Sequence, residues 1–174
     1  HGMPVCFLDQ TPCSRGFAVI AYGKLGGLEL GYGSDLDLVF VHAPQRQGVT
    51  DGRRSIDNTV FYTRLGQRII HIIETRMALG QLYEVDMRLR PSGDSGMLVT
   101  TTDGFRAYQK DTAWTWEHQA LVRARFVAGD SAVAEAVDVI RREILCQPRD
   151  VNELAIEVKA MRGRMREHLL PAEI

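Results

Sequence analysis

Hydrophobic positions along the chain fall into runs of two kinds. Residues 17–22 (Phe-Ala-Val-Ile-Ala-Tyr) are continuously apolar and of strand length. That composition suits a strand covered on both faces, although a buried helix shares it. A second strand-length run occupies 36–41, and Gly23, Gly26 and Gly27 break the chain between the two. Residues 25–30 fit a short helix, with Glu29 near its start and Gly31 and Gly33 ending it. Residues 82–89 (Leu-Tyr-Glu-Val-Asp-Met-Arg-Leu) alternate and predict a third strand. Glu84, Asp86, Arg88 and Arg90 share one face, and Tyr83, Val85, Met87 and Leu89 the other. The turn at 91–94 and the run at 96–100 predict a return strand, closing a hairpin.

The remaining periodicity is helical. Ile56, Val60, Phe61, Leu65, Ile69, Ile72 and Ile73 recur at three- and four-residue intervals, a stripe expected to enter the core. Arg54, Asp57, Arg64, Arg68 and Glu74 fall mostly away from it, and Gly80 suits a helix stop or turn. His71 and Glu74 lack a matching pair of ligands, so no metal site is read there. Thr102 is an expected N-cap for a helix over 103–110. A helix over 112–125 is expected to turn Trp114, Trp116 and Leu121 inward, followed by extended chain at 126–127. Helices over 131–146 and 152–170, capped by Ser131 and Asn152, carry their own apolar stripes. The first runs through Ala134, Val137, Ile140, Ile144 and Leu145, the second through Leu154, Val158, Met161, Met165 and Leu169. Arg162, Arg164 and Arg166 read as a solvated basic face. Residues 1–15 form a lead-in and 43–51 a polar connection.

Length and composition narrow the classes. At 174 residues there is room for one domain with a real core and part of a second. The formal net charge of −1 lacks the basic footprint of a general nucleic-acid binder, so no nucleic-acid partner is expected. Cys6, Cys13 and Cys146 are odd in number and lack Cys-x-x-Cys spacing, which argues against disulfides and zinc and for a reduced, cytoplasmic setting. With no basic-then-apolar leader and no apolar run of ~18 residues, neither a secretory signal nor a membrane span is expected. The chain lacks Met at position 1 and stops at Glu173-Ile174 after a helical run, so it is taken as a piece of a longer protein.

Candidate chemistry centres on Asp35 and Asp37. Alternation in a strand places both on one face, with Leu36, Leu38 and Phe40 on the other, and their Cα atoms roughly 6–7 Å apart. Repulsion and desolvation would raise a carboxyl pKa unless a cation sat between the two. A hard cation such as Mg²⁺ takes oxygen ligands and keeps positions for phosphates, and two ions ~3.5–4 Å apart can clamp a phosphoryl displacement. A strand end where both acids meet water is the competing reading. An EF-hand does not fit, because Leu38, Val39 and Phe40 stand where oxygen ligands and a glycine are needed. Walker and Rossmann glycine patterns are missing.

A glycine turn after one strand and Asp-x-Asp on the next resembles the nucleotidyltransferase superfamily typified by DNA polymerase beta. The fuller strings, Gly23-Lys24-Leu25-Gly26-Gly27-x-Glu29-Leu30 and Ser34-Asp35-x-Asp37-Leu38, resemble the glutamine-synthetase adenylyltransferase family. Its two-headed enzymes attach AMP to glutamine synthetase and remove it. Lys24 departs from the Gly or Ser of many superfamily members and fits the narrower family. The resemblance covers about residues 17–143. It implies an α+β, polymerase-beta-like mixed sheet flanked by helices. The lead-in would be 1–16, the catalytic domain 17–130, and 131–174 the start of a helical bundle.

The resemblance further implies that Asp86, within Val85-Asp86-x-Arg88-Leu89-Arg90-Pro91, is a third carboxylate beside Asp35 and Asp37. Together they would hold two Mg²⁺ ions, with ATP as substrate, and Asp86 could also accept the acceptor's proton. Ser34 and the amides around Gly23 and Gly33 are candidates for phosphate contact. Lys24, Arg88 and Arg90 are candidates for stabilising charge on the triphosphate or pyrophosphate. Either arginine could instead pair with Glu84. Expected partners are glutamine synthetase, modified on a tyrosine, and PII-type signalling proteins acting through the full-length enzyme. Tyr83-Glu84-Val85-Asp86, Pro91-Ser92-Gly93, Tyr108-Gln109-Lys110 and residues 114–121 look like the C-terminal, adenylylating half. Asp-x-Asp and Leu-Arg-Pro occur in both halves, so the phosphorolytic adenylyl-removing half is an alternative. A nucleotidyltransferase with another acceptor and a non-catalytic binding module are others, though a binding module has no need of all three carboxylates.

Overall fold

The computed structural model describes residues 1–5, 7–8, 11–12, 16–44 and 48–169. Cys6, Cys13 and the side chains of Arg164, Met165, Arg166 and Leu169 lie outside the described part. A small antiparallel pair, β1 (Phe7–Leu8) and β2 (Thr11–Pro12), precedes the main sheet. The central strands are β3 (Phe17–Ala21) and β4 (Leu36–His42), antiparallel, with the short helix α1 (Gly23–Gly26) between them. Helix α2 (Asn58–Glu74) follows, then β5 (Val85–Asp86) and β6 (Val99–Thr101). Helices α3 (Thr102–Asp111) and α4 (Thr115–Val122) lead to β7 (Arg125–Gly129), α5 (Ser131–Leu145) and α6 (Val151–Leu169). The result is an α+β fold with a five-stranded mixed sheet, consistent with the expected class. No described helix is long and apolar enough to cross a membrane.

Alternation along the two central strands sends buried side chains to both faces. Ala18, Ile20, Val39 and Val41 meet Phe105 of α3, Leu121 of α4 and Val133, Val137, Ile140 and Ile144 of α5. Phe17, Val19, Leu38 and Phe40 face Tyr62 of α2 and Val99 of β6. Gly66 lets α2 settle against the sheet, because a Cβ there would meet Phe40 at 2.9 Å. His42 stacks on Tyr62 at 4.6 Å, and burial holds its imidazole below the usual histidine range.

Several expectations shift. The short helix lies at Gly23–Gly26 rather than 25–30, so Glu29 follows it. In α2 the buried side is centred on Asn58, Tyr62 and Gly66, while Val60 and Ile72 are exposed. The third strand shrinks to Val85–Asp86: the Asp86 carboxylate accepts the Arg88 amide at 2.8 Å, and turns at Met87–Arg90 and Arg90–Gly93 peel the chain from the sheet. No hairpin forms, since β5 and β6 both pair with β4 in parallel, at its start and its end. Trp114 and Trp116 are exposed, because α4 starts at Thr115 with Trp114 as its cap, and Glu117 turns inward to accept the Trp114 amide and the Tyr108 hydroxyl. The caps of the flanking helices fall one or two residues early. Thr101 caps α3, Asp130 caps α5, and Asp150 accepts the Asn152 and Glu153 amides at the start of α6.

This packing distinguishes two apolar residues of similar appearance in the sequence. Phe40→Ala should cost about 3–5 kcal/mol, and Ile72→Ala no more than about 0.5 kcal/mol, in urea unfolding of the two variants. A comparable loss for both would contradict the assigned face of α2.

Candidate active site

The carboxylates meet where β3 ends and β4 and β5 begin. Asp35 and Asp37 project to the face opposite Leu36, Leu38 and Phe40, as alternation requires. Parallel pairing sets Leu36 beside Val85 and Asp37 beside Asp86, so Asp86 shares the Asp37 face. One carboxylate oxygen from each of the three acids lies within 4.8 Å of the others. All are oxygen donors, a set suited to a hard divalent cation.

Electrostatics differ sharply within this cluster. Burial, reinforced by the charges of Asp35 and Asp86, pushes the Asp37 carboxyl above the usual carboxylate range. The Arg88 guanidinium, hydrogen-bonded to Asp86, holds that carboxyl below it. Crowded acids with one member destabilised in its charged form are what a bound cation would relieve, and the donor set therefore fits the expected ion.

The glycine turn closes on this cluster. Gly23 has φ +51°, and a Cβ there would lie 2.0 Å from Asp37 Oδ2, so no side chain fits beneath the carboxylate. Gly26 serves packing instead: a Cβ would strike the Arg123 carbonyl oxygen at 2.1 Å. Gly33 has φ +74° with open space around it, and Ser34, buried, accepts the Gly31 amide at 3.4 Å. Lys24, Gly33 and Ser34 line a cavity of about 460 Å³ with Asp35 and Glu84. Asp35 and Glu84 also border a second cavity, of about 410 Å³, with Asp86, Arg88 and Arg90.

The arginines do not pair with Glu84. Arg88 binds Asp86, whereas Arg90 donates to the Met87 carbonyl at 2.9 Å and pairs with Asp94 at 3.5 Å. Two participants escaped sequence reasoning. Glu84, read there as one residue of a charged face, borders both cavities. Arg125 donates to the Leu25 and Gly26 carbonyls at 2.8 and 3.1 Å, bracing the glycine turn from β7. No local signal announces a contact across 100 residues. A larger cavity, about 640 Å³, lies behind α1 beside β7 and α5. There Arg123 pairs with Glu29 and Arg141 with Asp138, and among the described residues its acids do not converge as Asp35, Asp37 and Asp86 do.

A sequence model of the family described as glutamate-ammonia ligase adenylyltransferase matches residues 2–139. The chain is 57% identical over 173 residues to a Shewanella frigidimarina protein named bifunctional glutamine synthetase adenylyltransferase/adenylyl-removing enzyme, covering 99% of the chain and 18% of that protein. Proteins of the same name from Thioalkalivibrio sulfidiphilus and Pseudomonas aeruginosa are 56% and 53% identical over 95% and 97% of the chain. The chain spans 17–18% of the length of these curated relatives.

The opposed shifts make a signed prediction. Folding raises the Asp37 pKa, so its favourable contribution is complete below the unfolded carboxylate value and is lost as pH rises through the folded value. Asp86 has the opposite sign: its contribution is present above the unfolded value and is lost as pH falls through its lowered folded value. Without divalent ions, Asp37→Asn should raise the thermal midpoint at pH 7, by no more than a few degrees because the carboxyl is partly solvent-screened. The gain should shrink as pH falls and vanish well below about pH 4, where the wild-type group is neutral in both states. A midpoint lowered at pH 7 would contradict the repulsion.

Proposed function

The chain belongs to the glutamate-ammonia ligase adenylyltransferase family, and on that premise we propose that it carries the adenylylating activity, moving AMP from ATP to a tyrosine hydroxyl of glutamine synthetase. The observation that carries this reading is the convergence of Asp35, Asp37 and Asp86 beside a turn where a Cβ at Gly23 would press on the Asp37 carboxylate. The choice of the adenylylating half rests on Tyr83-Glu84-Val85-Asp86 and the 108–121 motifs. Residues 17–130 are assigned as catalytic domain and 131–174 as the start of a helical segment, with α5 packed on the catalytic sheet. A cytoplasmic setting and control by PII-type proteins through the longer enzyme belong to the same proposal.

In this reading Asp35, Asp37 and Asp86 hold Mg²⁺, two ions in all. The bound metal would polarise the phosphate oxygens and lower the pKa of an acceptor phenol, which ordinarily titrates near ~10. Ser34 and the Gly23 and Gly33 amides receive β- and γ-phosphate oxygens, and Lys24 and Arg90 offset their charge. The acceptor oxygen forms its bond to the α-phosphorus, the bond to the β-phosphate bridging oxygen breaks, and pyrophosphate leaves. Asp86 takes the phenolic proton.

Incubation with α-labelled ATP, Mg²⁺ and unmodified glutamine synthetase should label the acceptor, and Asp37→Asn should slow labelling by at least on the order of a hundredfold. Preferential phosphorolysis of pre-labelled acceptor, yielding ADP, would assign the removing half instead. Labelling of a different acceptor only would overturn the substrate.

A further inference from the structure

We propose that Arg88 is a displaceable counterion, which occupies Asp86 until a divalent cation arrives and is then released to the phosphates of the nucleotide. This rests on the reading of Asp35, Asp37 and Asp86 as the cation site. The first argument is an account of lone pairs. Asp86 Oδ1 accepts the Arg88 amide at 2.8 Å and Arg88 Nε at 3.0 Å, and Oδ2 accepts Nε at 2.8 Å and also Nη2. A carboxylate offers about four acceptor positions. Three N–H groups of one residue face these positions, with the single Nε–H shared between both oxygens, so a cation that binds this carboxylate competes with the guanidinium for it.

The second argument is the ease of that movement. The Arg88 side chain is 73% exposed, and its hydrogen bonds among the described residues go to Asp86 alone. Asp86 itself is 13% exposed, but the guanidinium already lies largely in water, so its release leaves no buried charge on the arginine side. The backbone contact to Oδ1 persists after release and keeps the carboxylate aimed. Arg90 differs in each respect. Its side chain is 13% exposed and is held by the Met87 carbonyl and Asp94. Two arginines two residues apart are thus a fixed charge and a mobile one.

The third argument is where the freed group goes. Arg88 lines the same 410 Å³ cavity as Asp35, Asp86 and Arg90, and a guanidinium fork matches phosphate oxygens bidentately. Nucleotide would then stabilise the displaced arginine, and the cation would stabilise the vacated carboxylate. Metal and nucleotide each strengthen the other's binding by the same factor.

Mn²⁺ titrations followed by electron paramagnetic resonance test this on the chain alone and with a non-hydrolysable ATP analogue. Arg88→Ala should bind Mn²⁺ alone on the order of tenfold more tightly than wild type, and the tightening caused by the analogue should shrink by a similar factor. Arg88→Lys, a point charge that cannot cover both oxygens, should lie between the two. Thermal unfolding like wild type would show that Arg88→Ala is folded, as its exposure requires. Unchanged or weaker Mn²⁺ binding by Arg88→Ala, while Asp37→Asn still abolishes binding, overturns the exchange and leaves the site reading standing. Intact Mn²⁺ binding by Asp37→Asn overturns both.

Discussion

One register governs this site: Leu36 beside Val85 and Asp37 beside Asp86, in parallel strands. Apolar side chains enforce it. Leu36, Leu38, Phe40, Val85 and Met87 all pack on the α2 side, so a slip by one residue would bury carboxylates there and expose the core. Burial therefore does what the carboxylates oppose, forcing three like charges into a space where one of them, Asp37, resists ionisation. A cluster that costs stability in the free protein, and that the proposed reading assigns to a cation, fits the usual trade between stability and activity.

The surroundings manage that cost locally. Gly23 removes the side chain that would press on Asp37, and Arg125 fixes the carbonyls of the helix that presents Gly23. Arg88 supplies a positive charge to Asp86, whereas Asp37 has burial and the charges of its two neighbours against its ionised form. The groups proposed to face phosphate are divided between two cavities that share lining residues. Lys24 and Ser34 border one, Arg88 and Arg90 the other, with Asp35 and Glu84 common to both.

Much of this was legible in the residues. The two central strands declare themselves by continuous apolar runs, because both of their faces are covered. Asp35 and Asp37 follow from alternation. Asp86 needed the family resemblance, since alternation alone offers Glu84, Arg88 and Arg90 equally. What stayed hidden depends on side-chain hydrogen bonds that periodicity cannot register. The Asp86 carboxylate ends its own strand by capturing the Arg88 amide, and Glu117 displaces two tryptophans from the core by capping its own helix. Contacts between distant elements were equally invisible: Arg125 on α1, and β6 joining β4 rather than β5.

The claim at the centre is that these three acids together hold divalent ions against the phosphates of ATP. Crystals grown with Mn²⁺ and a non-hydrolysable ATP analogue, measured at the manganese edge, address it directly. The account predicts anomalous peaks liganded by Asp35, Asp37 and Asp86, with the triphosphate alongside. Peaks elsewhere, or nucleotide bound with the three carboxylates bare, would contradict it.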